Sequence, residues 1–466
     1  MKRINKRISY NKKATSLCKP IFVAVLVVVA LLLTTCNFGT LYQLEQSDGG
    51  QEKKGDAASL EQPSQPVQGE ASDEQDYGLD SQELDSQESG SQEQGNENEA
   101  LQEGFSDDEG ERDNQGESRY EVMPFRPGTP NGLTPPYEGI FELPVRGATG
   151  WAAANLAMRL GPDANSANIR TLQPGQAFTI LGEYGQWWNI MLGSGEEGWV
   201  SHRHCFINLP DITPSVVYNI TNAQASVARS NFTDIPNVTG QASYEAFSFN
   251  ERLGRYEFIV PALYATSLKV MQAQQLALAE GHTLVIYEAF RPRSAQQSIV
   301  AALRALMEAD EGVYSAINDP PWHISWFIAT TLSNHQRGVA LDMSLAQIIS
   351  AEVGSIGGFS YWHITEYAEF DMPTPMHELS SHAALLSRPV TTNSATAWRE
   401  VPFADGMTDG AMLLVEYAVA AGFTPMASEW WHFNDLEGRI IAMEAGIVGE
   451  FYTSRIYSTL WDAVPR

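Results

Sequence analysis

Residues 45–121 hold 24 acidic side chains against 4 basic ones, with few large aromatic or β-branched residues among them. Such a stretch cannot bury enough apolar area to offset the chain entropy lost on folding, so disorder is expected there. Folding is thereby confined to the residues downstream of it. The same stretch carries most of the formal net charge of −28. No basic face remains for a nucleic acid, so that class of partner is excluded. Cys18, Cys36 and Cys205 are too few and too scattered for a disulfide framework or a Cys-rich zinc site.

Ahead of the acidic stretch, Lys2, Arg3, Lys6, Arg7, Lys12, Lys13 and Lys19 precede an apolar run from Ile21 to Leu33. A basic flank followed by a short apolar run reads as a signal peptide or signal anchor, basic end in the cytoplasm. Cys36 closes a sequence resembling a lipoprotein cleavage box, although Thr35 is larger than the usual small residue. Anchor, cleaved signal and lipidation all stay open, and each places the rest of the chain outside the cytoplasm, membrane-anchored or secreted. Residues 1–43 are therefore read as the targeting segment. Residues 44–145 are read as an extended acidic linker with a stiffer, Pro-rich end (Pro124, Pro127, Pro130, Pro135, Pro136).

Residues 146–210 change character. Runs of about five β-forming residues alternate with Gly and Pro, which predicts a small all-β barrel. Met158-Arg-Leu-Gly-Pro162, Pro174-Gly175, Trp187-Trp-Asn-Ile190 and Gly198-Trp-Val200 succeed one another along the chain. This order resembles the bacterial SH3-like module, and the resemblance implies binding to cell-wall peptides. Trp188 and its neighbours Trp187 and Trp199 are read mainly as core and rim aromatics. His202 and His204, two apart on one strand face, are read as an incidental pair rather than a metal site.

Residues 215–466 mix helices with short strands, an α+β pattern. Helices are expected over 262–280, closed by Gly281, after a capping box at Ser294, and over 411–421, closed by Gly422. Strands are expected over 283–290 and 339–343. Three places concentrate chemistry. In Ser333-Asn-His335-Gln-Arg-Gly338-Val-Ala-Leu-Asp342, His335 and Asp342 converge if the first sits on a turn, reversed at Gly338, and the second on the following strand. Glu429-Trp-Trp-His432 adds a second imidazole with a carboxylate three residues before it. His335, Asp342 and His432 are a donor set suited to one catalytic zinc per chain with an open position. Glu429 is placed to act as general base. Arg291, at a strand end before Pro292, is a fixed cation for a carboxylate or developing oxyanion.

Taken together, the Arg-Pro pair, the Ser-x-His-x-x-Gly-x-Ala-x-Asp run and Glu-x-x-His resemble the zinc D,D-peptidase family. That family includes the vancomycin-resistance D-Ala-D-Ala dipeptidases and the D,D-carboxypeptidases. The resemblance spans roughly residues 230–440 and implies a small antiparallel-sheet, hedgehog-like catalytic domain. It implies zinc on His335, Asp342 and His432, Glu429 as base, Arg291 on the transition state and Ser333 at the substrate. The implied substrates are D-Ala-D-Ala or peptidoglycan stem peptides. A wall endopeptidase and a non-catalytic wall-binding protein are the rival readings. One departure stands out. Dipeptidases carry a carboxylate where this chain has His377, within Asp371-Met-Pro-Thr-Pro-Met-His377-Glu378, after a long insertion at about 345–367. His377 cannot clamp a free ammonium by charge, which leaves Glu378 as the substitute.

Overall fold

The computed structural model describes residues 141–460. The expected targeting segment and nearly all of the expected acidic linker lie outside them. No helix among the described residues is long and apolar enough to cross a membrane.

The N-terminal sheet comprises β1 (Thr149–Ala152), β2 (Leu156–Arg159), β3 (Asn168–Leu172), β4 (Ala177–Tyr184), β5 (Trp187–Leu192), β6 (Glu197–Ser201) and β7 (Cys205–Asn208). Alternation along β5 sends Trp188, Ile190 and Leu192 inward. They meet Met158, Phe178, Ile180 and Val200 in one apolar core. Trp188 is fully buried, whereas Trp187 and Trp199 are half-buried at the rim. The expected closed barrel is not what forms. With Pro261–Leu263 as β13, the strand order is β13-β7-β1-β4-β5-β6-β2-β3, with no pairing between its ends. The outer edge of β7 is taken instead by β13 (Pro261–Leu263), which belongs to the downstream sequence. An edge paired in this way has no unmet backbone groups to close upon.

Two small ladders come next, β9 (Arg229–Ser230) with β10 (Thr233–Asp234), and β11 (Phe247–Asn250) with β12 (Arg255–Phe258). The second sheet is built from β8 (Val217–Tyr218), β14 (His282–Glu288), β15 (Ala340–Ile356), β16 (Phe359–Glu369), β17 (Thr424–Pro425) and β18 (His432–Asn434). Its order is β17-β18-β15-β14-β8, with β16 paired to β15. All pairs are antiparallel except β14 with β8. The long insertion is a hairpin, β15 into β16, turning at Gly357 and Gly358, both at positive φ as a tight hairpin turn requires.

Helix α1 (Tyr264–Ala279) packs on β14 and on the later helix 409–420. It ends at Gly281 with φ +77°, as expected. Helix α2 (Arg293–Ala309) begins one residue before Ser294, so the expected capping box does not form. Pro292 occupies the cap, and Ser294 Oγ meets Tyr452 Oη at 2.6 Å. Helix α3 (Glu311–Ile317) is next, then α4 (Asp409–Ala420), capped by Thr408, and α5 (Leu436–Glu444), capped by Asp435.

The two sheets are joined at three places. Phe141, Leu143 and Val145 are buried, so the end of the expected spacer is part of the folded body. β13 pairs with β7. The C-terminal segment returns across the N-terminal sheet. Trp151 Nε1 donates to Arg455 O at 3.1 Å, Thr179 Oγ1 to Tyr457 O at 2.9 Å, and Ser458 Oγ to Asp211 Oδ2 at 2.6 Å.

Candidate active site

The register of the second sheet sets three ionisable residues in a row. Glu288 on β14 faces Asp342 on β15, and Asp342 faces His432 on β18. Paired residues on adjacent strands share a face, so the three side chains meet. His335 arrives from the 3-10 turn His335–Arg337, which reverses at Gly338 with φ +65°. A Cβ at Gly338 would lie 2.7 Å from the Phe206 ring and 3.0 Å from Leu263 N, so only glycine fits. This is the expected arrangement of turn, reversal and strand.

The inner atoms form a tight triangle. His432 Nδ1 is 3.0 Å from Asp342 Oδ1, His335 Nε2 is 3.3 Å from the same oxygen, and the two ring nitrogens are 3.2 Å apart. The outer nitrogens set the tautomers. His335 Nδ1–H donates to Ala289 O at 2.7 Å, and His432 Nε2–H to Asn434 Oδ1 at 3.1 Å. Two lone pairs and a carboxylate oxygen therefore converge on one point, an arrangement that a cation relieves. A tetrahedral zinc with ligands at about 2.0–2.1 Å sets them about 3.3 Å apart, close to the distances found. The donor set thus fits zinc.

Electrostatics agree. Burial pushes His335 down, which keeps it neutral and able to ligate. Burial also works against a charged His432, but Asp342 and Glu429 prevail and raise it, so the local field favours positive charge. Burial opposes the charge on Asp342 as well, yet the imidazoles of His335, His377 and His432 around it hold its carboxyl well below the usual range. Glu429 Oε2 lies 3.5 Å from His432 Nδ1, and burial pushes the Glu429 carboxyl up to about 8.

Arg291 is fully engaged. Its guanidinium donates to Glu288 Oε2 at 2.6 Å through Nε, to Gln296 Oε1 at 2.6 Å and to Asp342 Oδ2 at 3.2 Å. Burial works against its charge, but Glu288 and Asp342 more than offset this and raise its pKa. Glu288, Asp342 and His377 also cluster closely enough to hold an ion. Arg291 already neutralises that group. Glu288 further accepts from Asn222 Nδ2 and Tyr244 Oη, both at 2.8 Å. Glu288 is not among the residues expected from the motifs. Its one sequence signal is a carboxylate at the end of the largely apolar strand β14.

The remaining expected residues divide. Ser333 lines the cavity, and its Oγ accepts from His335 N at 3.2 Å. His377 also lines it, at φ +59°, with Nε2 at 3.1 Å from Asp342 Oδ2. The loop carrying it is pinned to β9 by Arg229 N to His377 O and Leu379 N to Arg229 O. Glu378 is not brought to the cavity. Its carboxylate accepts from Phe232 N at 3.0 Å and Ser380 Oγ at 2.6 Å, pointing away, so it cannot substitute for the missing clamp. His202 and His204 form no metal-ligand group. His202 Nε2 meets Gly185 O at 3.0 Å.

Residues 154–205 match the bacterial SH3 domain family, and residues 259–444 match the D-ala-D-ala dipeptidase family. The C-terminal region is therefore similar to the D-Ala-D-Ala dipeptidase family. Two relatives bear the name D-alanyl-D-alanine dipeptidase. The one from Escherichia coli (strain K12) is 29% identical over 198 residues, 42% of this chain and 72% of the relative. The one from Enterococcus faecium is 26% identical over 199 residues, 42% of this chain and 79% of the relative. The peptidase match encloses Arg291, Ser333, His335, Asp342, Glu429 and His432, all of which line one cavity of about 380 Å³.

Proposed function

We propose that the chain is an exported, zinc-dependent D,D-peptidase that cleaves D-Ala-D-Ala at the ends of cell-wall peptides. The observation that carries this reading is the triangle of His335, Asp342 and His432 with Glu429 beside it. His335 Nε2, His432 Nδ1 and Asp342 Oδ1 would hold the metal, which would supply Lewis acidity at the scissile carbonyl when bound. Glu429 takes a proton from the attacking water at its carboxylate and returns it to the leaving amine. Arg291, fixed by Glu288 and Gln296, holds Asp342 Oδ2 and keeps positive charge at the wall where oxyanion charge develops. His377 fixes the same Asp342 oxygen, where it offers nothing to a free ammonium. Acylated peptides ending in D-Ala-D-Ala are therefore turned over at least as well as the free dipeptide. The SH3 domain faces the wall, and the N-terminal segment supplies export or anchoring.

The test is incubation of the full chain and zinc with N-acetyl-D-Ala-D-Ala, D-Ala-D-Ala and muropeptides, reading products by mass. Release of D-Ala is expected, and Glu429→Gln lowers the rate by about 10²–10⁴. Absence of D-Ala release, or a Gln variant above about a tenth of the parent rate, removes the reading.

A further inference from the structure

A peptide ending in D-Ala-D-Ala carries one group whose recognition the site has not yet explained, its terminal carboxylate. Arg291 is the obvious cation, but Glu288, Asp342 and Gln296 occupy its guanidinium. Two other arginines line the same cavity, Arg337 and Arg439. Both are partly buried. Neither lies within ion-pair distance of a carboxylate among the described residues. Their partners are neutral amides, Arg337 Nη1 with Asn334 Oδ1 at 3.3 Å and Arg439 Nη1 with Asn393 Oδ1 at 2.7 Å. Arg337 Nε is buried without any hydrogen-bond partner. The two guanidiniums also feel each other. Burial and then the charge of Arg439 lower the Arg337 pKa.

In a chain of net charge −28, two adjacent cations without a carboxylate are a departure from its general character. Holding like charges together is unfavourable unless an anion joins them. Their position fits the reaction. Arg337 bonds Asn334, and Asn334 Nδ2 donates at 2.8 Å to Asn434 Oδ1, the oxygen that also accepts from His432. Arg337 thus stands two side chains away from His432, and Arg439 lines the same cavity. The carboxylate of a terminal D-Ala is only a few covalent bonds from the scissile carbonyl, so its partner must line the cavity that holds the metal ligands.

We propose that Arg337 and Arg439 form a carboxylate subsite that takes the free C-terminus of the peptide substrate. The proposal rests on the peptidase reading above and deepens it. A guanidinium pair presents planar forks that match a carboxylate. An internal bond in a cross-linked peptide has no such carboxylate, so the subsite makes the enzyme an exopeptidase and disfavours endopeptidase action.

The test separates binding from turnover. The full-chain Glu429→Gln variant, loaded with zinc, is titrated calorimetrically with N-acetyl-D-Ala-D-Ala and with its C-terminal amide. The acid is expected to bind on the order of ten to a hundred times more tightly. Adding Arg439→Gln or, separately, Arg337→Gln is expected to bring that ratio toward one, and Arg439→Lys to restore part of it. Arg439 lies on the partly exposed face of α5, so its variant guards against misfolding of the His335 turn. No measurable binding of the acid, equal binding of acid and amide, or a ratio unchanged in both arginine variants overturns the subsite. Turnover of the same pair by the parent enzyme tests the peptidase reading apart from this. Hydrolysis without discrimination keeps that reading and removes the subsite. Discrimination without hydrolysis does the reverse.

Discussion

The SH3 region and the peptidase region are both sheets with buried cores, but they use their interiors differently. In the SH3 region the interior is apolar, built from Met158, Phe178, Ile180, Trp188 and Ile190. In the peptidase region the centre of the sheet carries Glu288, Asp342 and His432 in one buried row. Buried charges are tolerated only when paired and hydrogen-bonded, and Arg291, His377, Asn222 and Tyr244 supply those partners. One sheet is organised for stability and the other for chemistry. The contact between them shows why both are present. Phe206 of β7 lies against Gly338 of the His335 turn and against Phe290, the residue before Arg291, at 5.3 Å between ring centres. Phe451 of the returning C-terminal segment stacks on Phe290 at 5.0 Å. The SH3 sheet is the floor beneath the turn bearing His335 and the strand end bearing Arg291.

The comparison breaks most readily at Phe206. Phe206→Ala is expected to destabilise the chain by about 3–5 kcal/mol, as for other buried aromatics. Because β13, the C-terminal segment and residues 141–145 tie the regions together, one transition is expected. Tryptophan fluorescence and residual peptidase activity should be lost at the same denaturant concentration. Activity that survives after the fluorescence transition would show the SH3 region to be a detachable module.

A smaller effect sharpens the account of the junction. Glu142 is buried there and accepts from Ser215 N at 3.0 Å and from Ser215 Oγ. Burial pushes its carboxyl up to about 7, against the Ser215 hydrogen bonds that lower it. The folded state therefore holds a proton that the unfolded state releases at about 4.5. The stability this gives is full below about 4.5 and is lost as pH rises through about 7. Glu142→Gln is expected to flatten that slope and to be more stable than the parent at pH 8, by on the order of 1 kcal/mol. Denaturant midpoints at pH 5 and pH 8 check this. An unchanged slope would show that Glu142 stays ionised in the fold.

Much of the site is legible because it is written in local spacing. The turn at Gly338, the strand bearing Asp342 and the Glu429–His432 pair depend on residues close together in sequence. The hairpin within 345–367 is signalled by Gly357-Gly358 between β-rich runs, a cue that the length of the insertion obscures. The open N-terminal sheet is not legible. Its edge is completed by Pro261–Leu263, about fifty residues after β7, and pairing at that separation leaves no local period. The C-terminal segment is similar. Tyr457 and Ser458 find Thr179 and Asp211 across the whole fold, through contacts that no motif announces. Ser294 misleads because it has the form of a capping box where Pro292 already sets the helix start. Glu378 misleads because adjacency to His377 says nothing of direction once His377 takes a positive φ.

Each region also contains a pair of histidines, and this permits the most direct test of the central claim. His335 and His432 converge with Asp342 in the peptidase region, while His202 and His204 in the SH3 region belong to no cluster of three candidate ligands among the described residues. Zinc is measured by elemental analysis on the purified full chain, on His432→Ala and on His202→Ala. One zinc per chain is expected for the parent and for His202→Ala, and a small fraction of one for His432→Ala. Zinc that stays at one per chain in His432→Ala would contradict the assignment of the site.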